Sequence, residues 1–309
     1  MKIFRNFDEA GSIHNAVVTT GSFDGVNVAH RVILQRLKKL AAETGGETVL
    51  ITFHPHPRKV LYPDTYGKDL YLIDSQREKI ELLRQAGLDN LIIVDFTLEF
   101  SRITSVDFVK NILLNKIHAR KIVIGFNHHF GHNREGDYEA MRKLGKLYEF
   151  DVEQIPEQDI ENEIVSSTKI RNALLEGNIQ KANAYLYHSY IIMGLIQEVK
   201  PRLRAIGFPI FSIRIEEESK LLPPDGVYAV TVSDDNKLYR GMCFIKKRGA
   251  SSIDAVVDFH LFEMPEKLTG SSATVYFHNF IREEKVFHSP EEMQKQLQTD
   301  REQADKLIF

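Results

Sequence analysis

The sequence predicts an α/β plus β chain: an N-terminal doubly wound parallel sheet, then an antiparallel β-barrel with a C-terminal helix. Three observations carry this expectation. Runs rich in Val and Ile alternate with segments of helical period up to about residue 185, the signature of strands buried on both faces. From about residue 190 the apolar runs become short and closely spaced, with turn residues between several of them. The chain then ends on a polar stretch of helical period behind a serine cap. A length of 309 residues suits two domains, expected at 1–185 and 186–309 and abutting near residues 180–190.

In the first half, Ala16-Val17-Val18-Thr19 reads as a strand, 21–30 as a glycine-bent loop and 31–40 as a helix. Strands at 49–53, 90–94 and 121–125 follow, separated by helical patterns at 76–86 and 105–115, with a further helix at 138–148. Ligands of such sheets collect beyond the carboxyl ends of the strands, and the motifs of this half each follow one of these runs. The barrel strands are expected at 190–198, 208–215, 226–233, 238–245, 255–262 and 273–280. Pro223-Pro224-Asp225-Gly226 and Asp234-Asp235-Asn236 supply turns. Ser289-Pro290-Glu291-Glu292 opens the last helix with a serine cap, proline at the first helical position and glutamate three residues on.

Forty basic against 43 acidic residues give a formal net charge of −3, so no global basic field argues for nucleic acid or an anionic membrane. Any anion site must be local, and small molecules are the expected partners. No run approaches the roughly 20 apolar residues needed to span a bilayer, and 1–9 lacks the apolar centre of a signal peptide. The cytoplasm is the expected compartment. A single cysteine, Cys243, excludes an intramolecular disulfide and any multi-cysteine metal site, and is expected as a buried thiol. Oligomeric state is not legible.

Four segments in the first half carry chemistry. Gly21-Ser22-Phe23-Asp24-Gly25-Val26-Asn27-Val28-Ala29-His30 joins strand to helix. Its small residues admit an anion to the backbone, and the helix start supplies N–H groups and a positive dipole end. Thr52-Phe53-His54-Pro55-His56-Pro57-Arg58 reads as a stiff extended loop presenting two imidazoles and a guanidinium. The third segment spans 125–137 and includes Asn127, His128, His129, His132 and Arg134. These histidines bracket a turn without helical ligand spacing, which disfavours zinc. In the fourth, Ser166, Ser167 and Thr168 offer hydroxyls that cap a helix or grip a phosphate, and Arg171 adds charge one turn in. Taken alone, that last segment is equally a plain capped amphipathic helix.

In order and spacing the four segments resemble the series of the bacterial bifunctional riboflavin kinase/FMN adenylyltransferases, or FAD synthetases: G-x-F-D-G-x-H-x-G-H, T-F-x-P-H-P, G-x-D-F-x-F-G-x-x-R-x-G-D and S-S-T-x-I-R. The resemblance covers nearly the whole chain and implies a Rossmann-like nucleotidyltransferase domain that makes FAD from FMN and ATP, then a kinase barrel that makes FMN from riboflavin. It implies ATP, Mg²⁺ and flavin as ligands. Gly21, Ser22, Phe23, Asp24, Gly25, His56, Arg58, Asn127, Arg134, Ser166, Ser167 and Thr168 become binding residues, with His30, Asn27 and Arg171 stabilising charge at the reacting phosphates. Asn27 stands where the family has its first histidine, Ala29 where it has glycine and Asn127 where it has aspartate. Asn27 donates a hydrogen bond but carries no imidazolium charge. Losing one charge-stabilising group costs about 3 kcal/mol, roughly a hundredfold in rate.

In the second half the resemblance is looser. Gly207, Pro209 and Ser212 fall in the segment matching G-R-x-L-G-F-P-T-A-N, where Ile210 replaces the threonine, the bulkier Phe211 the alanine and Ser212 the asparagine. Asp258-Phe259-His260 matches E-x-H, whose carboxylate is the family's general base, with a side chain one methylene shorter. A kinase needs hard oxygen ligands for Mg²⁺ and a base aimed at the riboflavin 5′-hydroxyl. The expectation is therefore a folded barrel with impaired kinase activity beside a slower adenylyltransferase. The alternatives are a degenerate paralogue that binds flavin or adenine nucleotide as a non-catalytic sensor or partner subunit, and a transferase acting on another phosphorylated acceptor.

Overall fold

A computed structural model describes residues 1–11, 13–161, 163–197, 207–234, 237–247, 249, 252–263, 268 and 270–308. The chain forms two compact units, one of 1–70 with 79–165 and one of 71–78 with 166–309.

The first unit holds a six-stranded parallel sheet. Its strands are β1 (Lys2–Phe4), β2 (Val17–Thr20), β3 (Thr48–His54), β4 (Asn90–Asp95), β5 (Lys121–Gly125) and β6 (Asp151–Ile155). They lie in the order β1-β4-β3-β2-β5-β6. The central strands consist almost wholly of buried β-branched and aliphatic residues, as a sheet covered on both faces requires. Val18, Val49, Ile51, Ile92, Ile122 and Ile124 share one core with Phe108, Ile112, Met141 and Phe150 of the covering elements. Strands β1 and β6 are not among the expected elements. One is only three residues long and the other, Asp-Val-Glu-Gln-Ile, alternates polar with apolar, because both sit at sheet edges. A short hairpin of β7 (Asp159–Ile160) and β8 (Glu163–Ile164) follows.

In the second unit, β9 (Tyr190–Gln197), β10 (Phe211–Arg214), β11 (Gly226–Asp234), β12 (Lys237–Lys246), β13 (Val256–Leu261) and β14 (Ser272–Arg282) close an antiparallel barrel in the order β10-β13-β12-β11-β14-β9. Glu198 and the Asp235-Asn236 part of the second expected turn lie outside the described residues. Tyr190, Tyr228, Phe259 and Phe277 are fully buried large side chains of these strands. The helix Pro290–Leu307 begins at the expected Ser289 cap, whose Oγ accepts from Glu292 N at 3.1 Å. Ala304 packs with Phe208, Val227, Ala229 and Met242. Asp300, fully buried, receives a forked pair of hydrogen bonds from Arg282, with the closest contact at 2.6 Å. Cys243 is buried, and burial followed by the Asp258 charge pushes its thiol pKa well up, as suits an inert structural cysteine.

Candidate active site

The strand order reverses between β2 and β5, because the chain winds from β2 to β3 and β4 on one side and continues through β5 and β6 on the other. Ligands of open α/β sheets bind at such a reversal, beyond the carboxyl ends of the two adjacent strands. The glycine loop leaves β2 there and the 125–137 segment leaves β5.

The loop is tightly wound, with positive φ at Phe23 (47°), Gly25 (95°) and Val26 (39°). Gly25 holds a backbone conformation that side chains disfavour. Asn27 is the N-cap of the helix Val28–Thr44: its side chain accepts from His30 N at 3.2 Å, and Asn27 N donates to His30 Nδ1 at 3.2 Å. This reciprocal capping box explains an asparagine here, since Asn is among the best N-cap residues. It also sets the tautomer of His30, whose Nδ1 accepts and whose proton sits on Nε2. Burial pulls the His30 pKa down to about 4, with Asp24 opposing and Lys79 reinforcing the shift. The ring stacks on Phe23 at a centroid distance of 4.4 Å. Near neutral pH His30 is thus uncharged, with its one ring proton on Nε2.

Beyond β5, His128 Nε2 lies 2.7 Å from Thr20 Oγ1, linking this segment to the residue before the glycine loop. Its pKa falls to about 4, chiefly through burial and next through His129. Arg134 donates to His129 Nδ1 at 3.1 Å, and the Asn127 side-chain amide donates to Glu157 at 3.2 Å. Asp137 caps the helix Tyr138–Tyr148, accepting from Ala140 N at 2.8 Å. No group of three or more His, Cys, Asp or Glu side chains among the described residues could hold a metal. The His54–Arg58 segment is not simply extended. It ends β3 with an exposed His54, and His56 caps the short helix Pro57–Leu61, its Nδ1 accepting from Arg58 N at 3.2 Å.

The fourth segment folds with the second unit. Ser166 caps the helix Ser167–Leu175, accepting from Lys169 N at 3.3 Å, and Arg171 Nε donates to the Tyr71 carbonyl at 2.8 Å. On the barrel, Ser212 of β10 pairs with Asp258 of β13, and its hydroxyl donates to Asp258 Oδ1 at 2.5 Å with both residues buried. His260 shares the Asp258 face of β13 by the two-residue period. Its Nδ1 donates to the Pro209 carbonyl at 2.9 Å, and burial lowers its pKa. Phe211 points to the opposite face from Ser212 and stacks on Phe259 at 5.5 Å. It therefore packs against Phe259 on the face of β10 opposite Ser212 and Asp258. Gly207 is exposed at φ +85° with open space around it, so backbone conformation alone asks for glycine. Residues 203–206 of this motif lie outside the described residues.

Two buried cations escaped the sequence reading. Lys79 donates to the Ser22 carbonyl at 2.8 Å. Lys220 pairs with Glu78 at 2.7 Å within the second unit. The available signal for Lys79 was its place three and four residues before the apolar Leu82 and Leu83, on the buried face of the helix Gln76–Gln85.

Residues 10–169 match the FAD synthetase family model and 186–308 the riboflavin kinase model. The chain belongs to the bifunctional riboflavin kinase/FMN adenylyltransferase family. Proteins of that name from Listeria monocytogenes and Bacillus subtilis are 32% and 30% identical to it, over 96% and 94% of this chain and 93% and 91% of theirs. The Escherichia coli K12 protein is 29% identical over 97% of this chain and 96% of its own. A crystal structure titled a macrolide-efflux protein, from Streptococcus pneumoniae, superposes with a TM-score of 0.86 at 26% identity over 99% of both chains. Among the described residues no helix is long and apolar enough to cross a membrane. As a riboflavin kinase/FMN adenylyltransferase, the chain is an enzyme of flavin cofactor synthesis whose ligands are ATP, Mg²⁺, riboflavin and FMN. Nothing in these comparisons supports the non-catalytic sensor reading.

Proposed function

We propose that adenylyl transfer from ATP to FMN is the stronger of the chain's two reactions and riboflavin phosphorylation the weaker. Residues 1–185 are assigned to the first and 186–309 to the second, and both act on small molecules in the cytoplasm. In the first reaction an FMN phosphate oxygen attacks the α-phosphorus of ATP, a new P–O–P bond forms, and the bond to the β-phosphate breaks to release pyrophosphate. Mg²⁺ supplied with ATP would offset negative charge on the departing pyrophosphate.

The Asn27–His30 capping box carries the transferase reading. It occupies the His30 N–H, which leaves the amides of Val28 and Ala29 as helix-terminal donors to an anion. It also directs the proton of His30 to Nε2, a fixed donor whose strength needs no charge. Fixed donors aimed at developing charge are the main electrostatic resource of such a site.

The weak kinase reading rests on the Ser212–Asp258 hydrogen bond. The carboxylate at the general-base position has one oxygen occupied by a hydroxyl, which must move before that oxygen takes the riboflavin 5′-proton. Ile210, two residues before Ser212, has no side-chain oxygen to offer a metal nucleotide. The test is turnover of purified protein with ATP and Mg²⁺, with FMN in one reaction and riboflavin in the other, products being separated by chromatography. FAD and pyrophosphate in the first and little FMN in the second are expected. Rapid FMN production overturns the ranking.

A further inference from the structure

Lys79 lies outside every motif of the four segments, yet its ammonium reaches the glycine loop. It is 4% exposed, and Nζ donates to the Ser22 carbonyl at 2.8 Å. The Thr52 hydroxyl donates to the same oxygen at 3.2 Å, and Thr52 is fully buried. Two buried donors therefore turn the Ser22 carbonyl inward. Across a trans peptide the carbonyl and the following N–H point in opposite directions, so the Phe23 N–H faces outward. Phe23 itself holds φ +47°, a region that a bulky residue enters only where its surroundings enforce it, and its ring lies against His30. An ammonium buried on the apolar face of a helix is costly unless it is paired, and here part of that pairing is the loop itself.

We propose that Lys79 is a positioning residue for adenylyl transfer: its bond to Ser22 sets the Ser22–Phe23 peptide and, through the Phe23 ring, the placement of His30. The inference rests on the reading of 21–30 as the adenylyl-transfer loop. Lys79 also acts at a distance, because its charge reinforces burial in keeping His30 neutral while Asp24 opposes it.

The experiment compares Lys79→Met, Lys79→Arg and His30→Ala in the full chain, by kcat and KM for ATP and FMN and by NMR titration of the His30 ring. Lys79→Met is expected to lower kcat by about 10- to 100-fold with smaller changes in KM, since misplaced reacting groups cost rates of that order. Lys79→Arg should restore most of the rate. The His30 titration should move upward in Lys79→Met and stay in place in Lys79→Arg. Wild-type kcat, or an unmoved His30 titration, in folded Lys79→Met overturns the proposal. If Lys79→Met does not fold, Lys79→Leu, which likewise removes both donor and charge, is judged by the same two readouts. Full activity in His30→Ala would instead overturn the reading of the loop, and the positioning role with it.

Discussion

The Lys220 ammonium lies 2.7 Å from the Glu78 carboxylate, and the two side chains are 0% and 1% exposed. The ammonium also donates to the carbonyls of Ile73 and Ile191 at 2.6 and 2.8 Å and sits over the Tyr190 ring. Glu78 in turn accepts from the backbone N–H groups of Ser75 and Met193 at 2.6 and 2.8 Å. Burial alone pulls the Lys220 pKa down, but Glu78, with Tyr190 and Asp74 behind it, reverses the shift and holds it above the ordinary value. One fully satisfied ionic centre thus ties residues 73–78 to β9 and to the turn that carries Lys220.

Removing either partner strands a buried charge. Glu78→Gln and Lys220→Met are each expected to lower the unfolding free energy by about 3–5 kcal/mol, and the double change Glu78→Leu with Lys220→Met by less than the sum. Urea denaturation monitored by circular dichroism measures all three. Additive losses would show that the pair is not coupled.

The parallel sheet, the barrel, the final helix and three loops at strand ends were legible because each has a period or a cap that local chemistry dictates. Val49-Leu50-Ile51 announces a buried strand, and Ser289-Pro290-Glu291-Glu292 announces a helix start. What escaped depended on partners distant in sequence. Lys220 pairs with Glu78 and Lys79 reaches Ser22; the helical period places Lys79 on the face of Leu82 and Leu83, but no local pattern names the partner of either lysine. The capping role of Asn27 was also hidden by comparison with a histidine motif, although Asn before a helix is itself a cap signal.

Because Asn27 caps the helix and aims His30, installing the family's histidine there is not a repair. Asn27→His should leave FMN adenylylation unchanged or lower it, and should reduce stability by about 1 kcal/mol through loss of the cap. His30→Ala should reduce kcat about a hundredfold, whereas His30→Gln, which places an amide donor near the Nε2 position, should lose less. Steady-state kinetics decide both points. A rate increase in Asn27→His would mean that imidazolium charge, not loop geometry, limits the reaction.

His30 and His128 each have a folded pKa of about 4, below the usual unfolded value of about 6.5. Between these values the unfolded chain binds more protons, so stability is complete above the unfolded pKa and falls as pH drops toward the folded one. The loss is expected to be on the order of 2 to 3 kcal/mol for each ring by pH about 4. His128→Phe, the residue type in the family motif, should flatten part of this slope. Denaturant midpoints measured from neutral to mildly acid pH test it. An identical slope in the variant would remove His128 as a source.

The barrel offers the sharpest separation of packing from chemistry, because Phe211 and Ser212 are neighbours on opposite faces of β10. Phe211→Ala deletes the ring stacked on Phe259 and should cost about 3–5 kcal/mol without raising riboflavin phosphorylation, as for other buried Phe truncations. Ser212→Ala removes the hydroxyl that donates to Asp258 Oδ1 but adds no ligand for the metal nucleotide, so it should raise FMN production only slightly. Ile210→Thr with Ser212→Asn restores two polar side chains at and beside the start of β10 while leaving Phe211 in the core. This pair should give the largest gain in kinase turnover, read as FMN formed from riboflavin at saturating ATP and Mg²⁺. No gain in a folded double variant would place the limitation in the reach of Asp258, one methylene shorter than glutamate, and Asp258→Glu in that background would then be the variant expected to restore turnover.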